Sequence, residues 1–181
     1  MEEPSLLLRV NITKNSWNDF LESPVKNFHD FSDWRSWLKE EKKMYGDPDD
    51  FVDNWTLCLN GRVRDNLEWM HYEYDEENEI LVLSNLFFYG NFDPMLRVVS
   101  ILRGINEFTK PDTVNNFLVI YPYWWGDRTK VGEWANVYIE FDHGRNLLTN
   151  ILDKRNIDIA TEYFDSKDED WAKFCHEKMY G

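Results

Sequence analysis

Glycine is scarce in this chain, 8 residues of 181, and no GxxxxGK[ST] or GxGxxG run is present. Cradling a nucleotide phosphate needs closely spaced glycines whose amides face the anion, so binding by a Gly-rich loop is excluded. Cysteine is scarcer still. Cys58 and Cys175 lie far apart with no metal-ligand partner nearby, so neither a zinc knuckle nor a redox CxxC is written here, and both read as idle or buried thiols. No apolar run approaches the roughly 18 to 20 residues that cross a bilayer. The start, Met-Glu-Glu-Pro, lacks the basic and apolar regions of a secretory signal, so the expectation is an intracellular, cytoplasmic protein.

Catalytic signatures are missing as well. No GxSxG elbow or HExxH helix occurs, and Asp47, Asp49, Asp50 and Asp53 lack the glycine and the spacing of a calcium loop. The histidines, His29, His71, His143 and His176, are scattered. Only loose pairs, His71 with Glu73 and Asp142 with His143, place a base near an orienting carboxylate. The reading is therefore no cofactor, no metal and no assigned catalytic residue.

Basic residues are outnumbered, 20 against 34 acidic ones, for a formal net charge of −14. Such a field repels nucleic-acid phosphates and draws a basic partner inward. Aromatics, in contrast, are abundant: 9 Trp, 9 Tyr and 12 Phe, or 17% of the chain. That much ring surface is incompatible with disorder, and Trp and Tyr are the residue types that dominate binding hot spots.

The order of elements gives the fold class. Ser5 to Ile12 reads as a strand ending at Thr13-Lys14-Asn15. A first helix is expected from Phe28 to Tyr45, on the spacing of Phe28, Phe31, Trp34, Leu38 and Tyr45, with Asp30 or Ser32 as its cap and Gly46-Asp47-Pro48 as its stop. Trp55 to Leu59 reads as a strand before the turn dipeptide Asn60-Gly61. Leu67 to Tyr74 and Ile80 to Tyr89 form an antiparallel pair around a polar turn, Asp75-Glu76-Glu77-Asn78. Asp93-Pro94 opens a helix running to about Phe108. Phe117 to Tyr121 and Val137 to Phe141 are strands, Arg145 to Asp153 is a short helix, Ile157 to Tyr163 alternates as a strand, and a last helix spans about Asp168 to Met179 with Ser166 at its start. Strands come in neighbouring pairs rather than alternating with helices, and no linker or repeat divides them. The whole, residues 1–181, reads as one α+β domain with a mixed, mainly antiparallel sheet and helices packed on it.

Two located features can carry function. In Tyr121-Pro122-Tyr123-Trp124-Trp125-Gly126-Asp127-Arg128 an apolar strand runs into a loop of aromatics. Tyr123, Trp124 and Trp125 can anchor an interface or stack on a sugar or base while Asp127 and Arg128 fix orientation by hydrogen bonds, or the rings can cap an open end of the core, with Trp134 closing the other side. Glu73, Asp75, Glu76, Glu77 and Glu79 gather at the hairpin tip, where they are either solvated turn charge or a patch for a cationic groove, with Asp165, Asp168, Glu169 and Asp170 extending it.

No family motif is present. In general character alone, the chain is similar to the immunity and inhibitor proteins that neutralise basic toxins or nucleases by electrostatic steering and aromatic anchors. The expectation is a non-enzymatic binding protein with the acidic tip steering and the Tyr123 to Trp125 loop anchoring. The alternative is a small-molecule or carbohydrate domain, enzymatic or not, built on the Tyr121–Arg128 loop and a carboxylate such as Glu140 or Asp142.

Overall fold

Leu6, Leu7 and Leu8 follow one another along the first strand, and because successive side chains point to opposite faces, that strand must be covered on both. A computed structural model shows how, and it describes residues 4–41, 61–88, 92–111, 116–123, 137–141, 145–149 and 151–167. The strands are β1 (Ser5–Asn11), β2 (His71–Asp75), β3 (Ile80–Asn85), β4 (Phe117–Tyr121) and β5 (Val137–Glu140). They form one sheet in the order β2-β3-β1-β4-β5, and all four pairings are antiparallel. The helices are α1 (Lys14–Glu22), α2 (Trp34–Glu41), α3 (Phe92–Arg103) and α4 (Lys154–Ser166). The α+β class follows directly.

One sheet face carries Leu6, Leu8, Val10, Leu81, Leu83, Leu118, Ile120, Val137 and Ile139. It packs with Trp17 and Phe20 of α1, Trp34 and Trp37 of α2, and Met95, Val99 and Leu102 of α3. The opposite face carries Leu7, Phe117, Val119, Tyr121 and Tyr138 and is covered by Ile157, Ala160 and Phe164 of α4. Each fully buried aliphatic or aromatic side chain adds about 1.5 to 3 kcal/mol, so the two layers together define the fold.

Polar bonds tie each layer to the sheet. Under α4, Asn156 Nδ2 donates to Tyr138 Oη at 2.9 Å, and Tyr123 Oη donates to Asp165 Oδ1 at 2.6 Å. Tyr121 Oη lies 3.2 Å from Thr161 Oγ1, and Ser84 Oγ lies 3.1 Å from Tyr163 Oη. On the other side, Arg103 Nη2 donates to Asp33 Oδ1 at 2.8 Å and to Oδ2 at 3.0 Å, with the guanidinium 3.9 Å over the Phe31 ring. Asp33 Oδ2 also accepts from the Leu148 amide at 2.7 Å, so a single carboxylate joins α2, α3 and the strap 145–149. The strap runs beside β5, through the Ile139–Leu148 bridge.

Several sequence expectations need correction. Lys14–Glu22 is helical where only a strand end was read, because Thr13 Oγ1 caps it from the Ser16 amide while Trp17 and Phe20 face the sheet. The helix expected from Phe28 is instead a short 3-10 turn, Phe28–Asp30, followed by α2 from Trp34; the part beyond Glu41 lies outside the described residues. Ile157 to Tyr163 belongs to α4, not to a strand: Asp153 caps the start and Ile157, Ala160 and Phe164 recur at helical spacing. Ser166 accordingly closes a helix rather than opening one. In the region read as a helix from Arg145 to Asp153, the described residues are not helical, and Leu147 and Ile151 are exposed to solvent rather than set along one buried face. β2 starts at His71, later than read, and α3 gives way after Arg103 to a 3-10 turn, Gly104–Glu107. The strand Trp55–Leu59, the helix from Asp168 and both cysteines lie outside the described residues.

Arg103 is 3% exposed, so removing its counter-charge leaves a cation in the core. Asp33→Ala is expected to lower stability by about 3 kcal/mol, measured by urea unfolding. A change below about 1 kcal/mol would show that the pair does not hold the strap.

Candidate functional site

The β2–β3 hairpin brings the five expected carboxylates together, but it gives them different work. Alternation on β2 sends Glu73 and Asp75 to the α4 side of the sheet, and Tyr72 and Tyr74 to the side of α1. Asp75 is consumed by the turn: its Oδ1 accepts from the amides of Glu77 and Asn78, each at 3.0 Å, and its Oδ2 from Asn78 Nδ2 at 2.7 Å. The Asn78 side chain and amide hold its carboxyl below the usual range. Glu79 adopts φ 53°, its carbonyl accepts from the Ile12 amide at 2.9 Å, and its carboxylate pairs with Lys110.

Glu73 lies under the end of α4, where Lys167 Nζ reaches it at 2.7 Å and His71 Nε2 at 3.1 Å. Burial alone would raise its pKa, but the bonds and charges of Lys167 and His71 outweigh that and lower it. Only Glu76 and Glu77 remain, both exposed and neither in an ion pair among the described residues.

The aromatic loop divides differently. Tyr123 is 1% exposed, packed on Phe164 at 4.9 Å between ring centroids and bonded to Asp165, so it is part of the α4 core layer and offers no ring to a partner. Trp124, Trp125 and Asp127 lie outside the described residues, as does Asp142. Glu140 accepts a 2.6 Å bond from Tyr138 Oη, and burial first, then this bond, pushes the Tyr138 hydroxyl up.

Two exposed rings were not singled out from the sequence. Tyr72 is 58% exposed beside Trp17, and Trp69 is 37% exposed and stacked on Phe88 at 5.8 Å. Their signal was available in Trp69-Met70-His71-Tyr72, where Met70 alone alternates inward. A cleft of about 80 Å³ opens between Phe20, Pro24, Val63, Ile101, Gly104 and Phe108, with the Lys26–Glu107 pair on its wall. Ligand sites run to several hundred cubic ångströms, so this one is smaller than a drug-sized ligand needs. Among the described residues no three His, Cys, Asp or Glu side chains converge as a metal site would require, and no helix is long and apolar enough to cross a membrane.

Fold and surface thus define an antiparallel α+β protein with helices on both sheet faces and an acidic, aromatic outer hairpin. No family model, curated protein or solved structure matches the chain.

The Glu73 cluster gives a pH signature. A carboxylate whose folded pKa is lowered contributes stability that is present above the unfolded value, about 4, and is lost as pH falls through the folded value. Between about pH 5 and pH 3, Glu73→Gln should therefore unfold with a shallower loss of stability than the wild type, read from thermal midpoints across that range. Parallel curves would show that Glu73 does not report on the α4 end.

Proposed function

We propose that this chain is a non-enzymatic binding protein that inhibits or sequesters a basic protein partner, of the immunity or inhibitor type. The observation that carries this reading is the tip of the hairpin: Glu76 and Glu77 stand exposed, without ion pairs among the described residues, on a turn fixed by three bonds to Asp75. A charge held on a rigid turn keeps its position when a partner approaches, so less order is lost on binding. The net charge of −14 acts over a longer range in the same sense, favouring a cationic partner and disfavouring phosphate polymers. Exposed Tyr72 on β2 and Trp69 in the turn just before it add the ring surface that interfaces concentrate.

Affinity capture from native lysate at low salt, followed by association kinetics with the recovered protein, tests the reading. Reversing both tip charges, Glu76→Lys with Glu77→Lys, should slow association about 10-fold at low salt, and the difference should shrink as salt screens the field. Recovery of an acidic partner, or kinetics indifferent to both salt and charge reversal, would overturn it.

A further inference from the structure

Tyr72 and Tyr74 share one face of β2, and the chain already uses the second of them to hold a cation. Lys14 Nζ sits 4.6 Å from the centroid of the Tyr74 ring, while the Tyr74 hydroxyl donates to the Ile12 carbonyl at 3.0 Å. The negative potential of the hairpin tip reaches this face: after burial, the charges of Glu79 and Glu76 push the Tyr74 hydroxyl up. Two residues back on the same face, Tyr72 is the more open ring. Its ring leans on Trp17 at 6.3 Å between centroids, it remains 58% exposed, and none of the described residues places a charge over it. Glu68 and Glu76 flank the strand at its two ends, both exposed and neither in an ion pair among the described residues.

We infer that the outer face of β2 at Tyr72 is a docking point for an arginine or lysine side chain of a protein partner, with the ring as platform and the flanking carboxylates as counter-charge. The inference rests on the reading that the partner is basic, and it adds the location and the chemistry of the contact. Guanidinium is favoured over ammonium, because it is planar, weakly hydrated and stacks on an aromatic face, while Glu68 and Glu76 act on it through their field. The quadrupole of an exposed ring adds a modest attraction, about 0.5 to 1 kcal/mol, which corresponds to a 2- to 5-fold change in affinity. The site is therefore a specificity contact within a larger surface, and charge alone would not distinguish it from any other acidic patch.

The test uses the full chain with octa-arginine and octa-lysine peptides as probes and an uncharged Gly-Ser peptide as control, followed by titration calorimetry and by the ring proton signals of Tyr72. Octa-arginine should bind more tightly than octa-lysine and move those ring signals, whereas the control should do neither. Tyr72→Leu should weaken octa-arginine about 2- to 5-fold, Tyr72→Phe should remain within 2-fold of the wild type, and Glu162→Gln on α4, on the opposite side of the sheet, should change nothing measurable. Because Tyr72 is largely exposed, the thermal midpoint of each variant should stay near that of the wild type, and circular dichroism checks it. Failure of octa-arginine to bind, or binding that depends on Glu76, Glu77 and salt but is the same in Tyr72→Leu, would overturn the inference. The latter result leaves the basic-partner reading standing, which falls only on the lysate capture and charge-reversal kinetics described for it.

Discussion

Three consecutive leucines, Leu6, Leu7 and Leu8, give β1 no face that it can show to water, and much of the architecture follows from that constraint. A sheet with one solvated side would expose Leu7 together with Phe117, Val119 and Tyr121 next to it on β4. Covering both sides takes helices from both halves of the sequence: α1, α2 and α3 on one face, and α4 on the other. The centre of the sheet is therefore made of β1 with β3 and β4 beside it, and the mainly polar β2 falls to one edge of the order, with β5 at the other. The exposure of β2, which offers the Tyr72 ring and acid side chains to solvent, is a consequence of that edge position.

Hydrophobic burial says which faces close but is indifferent to the angle at which they do so. Direction comes from the polar bonds. Across α4, Asn156, Thr161 and Tyr163 each meet a hydroxyl on the sheet and Asp165 meets that of Tyr123 just beyond β4, so a shift of the helix by one residue would break all of these bonds together. On the far side Asp33 does the equivalent with one carboxylate, gathering Arg103 and the Leu148 amide. Buried tyrosines are suited to this role because most of the ring adds apolar area while the hydroxyl, at its far end, reaches the covering helix.

This division explains what could be read from the sequence. Strands β3, β4 and β5 and helix α3 carry long apolar stretches or strict alternation, and each was legible as an element of the right type. Two half-polar segments, α1 and α4, were not. In Ile157-Asp158-Ile159-Ala160-Thr161-Glu162-Tyr163 the alternating large residues mimic a strand, and only the cap at Asp153 and the burial of small Ala160 reveal the helix. Helix α1 was missed for a related reason, since just two of its side chains, Trp17 and Phe20, are buried and its start depends on one hydroxyl, that of Thr13. For the surface, the acidic tip was legible as a location but not as a distribution of roles. Nothing in the spacing of five carboxylates tells that Asp75 will close the turn, or that Lys167 and Lys110 will come from distant elements to pair with Glu73 and Glu79.

The pairing of those lysines bears on function more than the total charge does. A cluster of five carboxylates would repel itself and would be costly to desolvate at an interface, since each buried charge needs a partner of good geometry. Here the fold supplies counter-charges or amide donors to three of them. The two that stay open, Glu76 and Glu77, project from the turn, where attraction acts at long range and the charge can remain partly hydrated in a complex. Steering by a hydrated rim and contact through rings nearby is a division of labour that lets a strongly charged protein bind without the desolvation cost of a charged centre. On that argument the ring of β2 that stays open to solvent matters most, and it is Tyr72, exposed on the α1 side, rather than Tyr123, which the α4 layer has already enclosed.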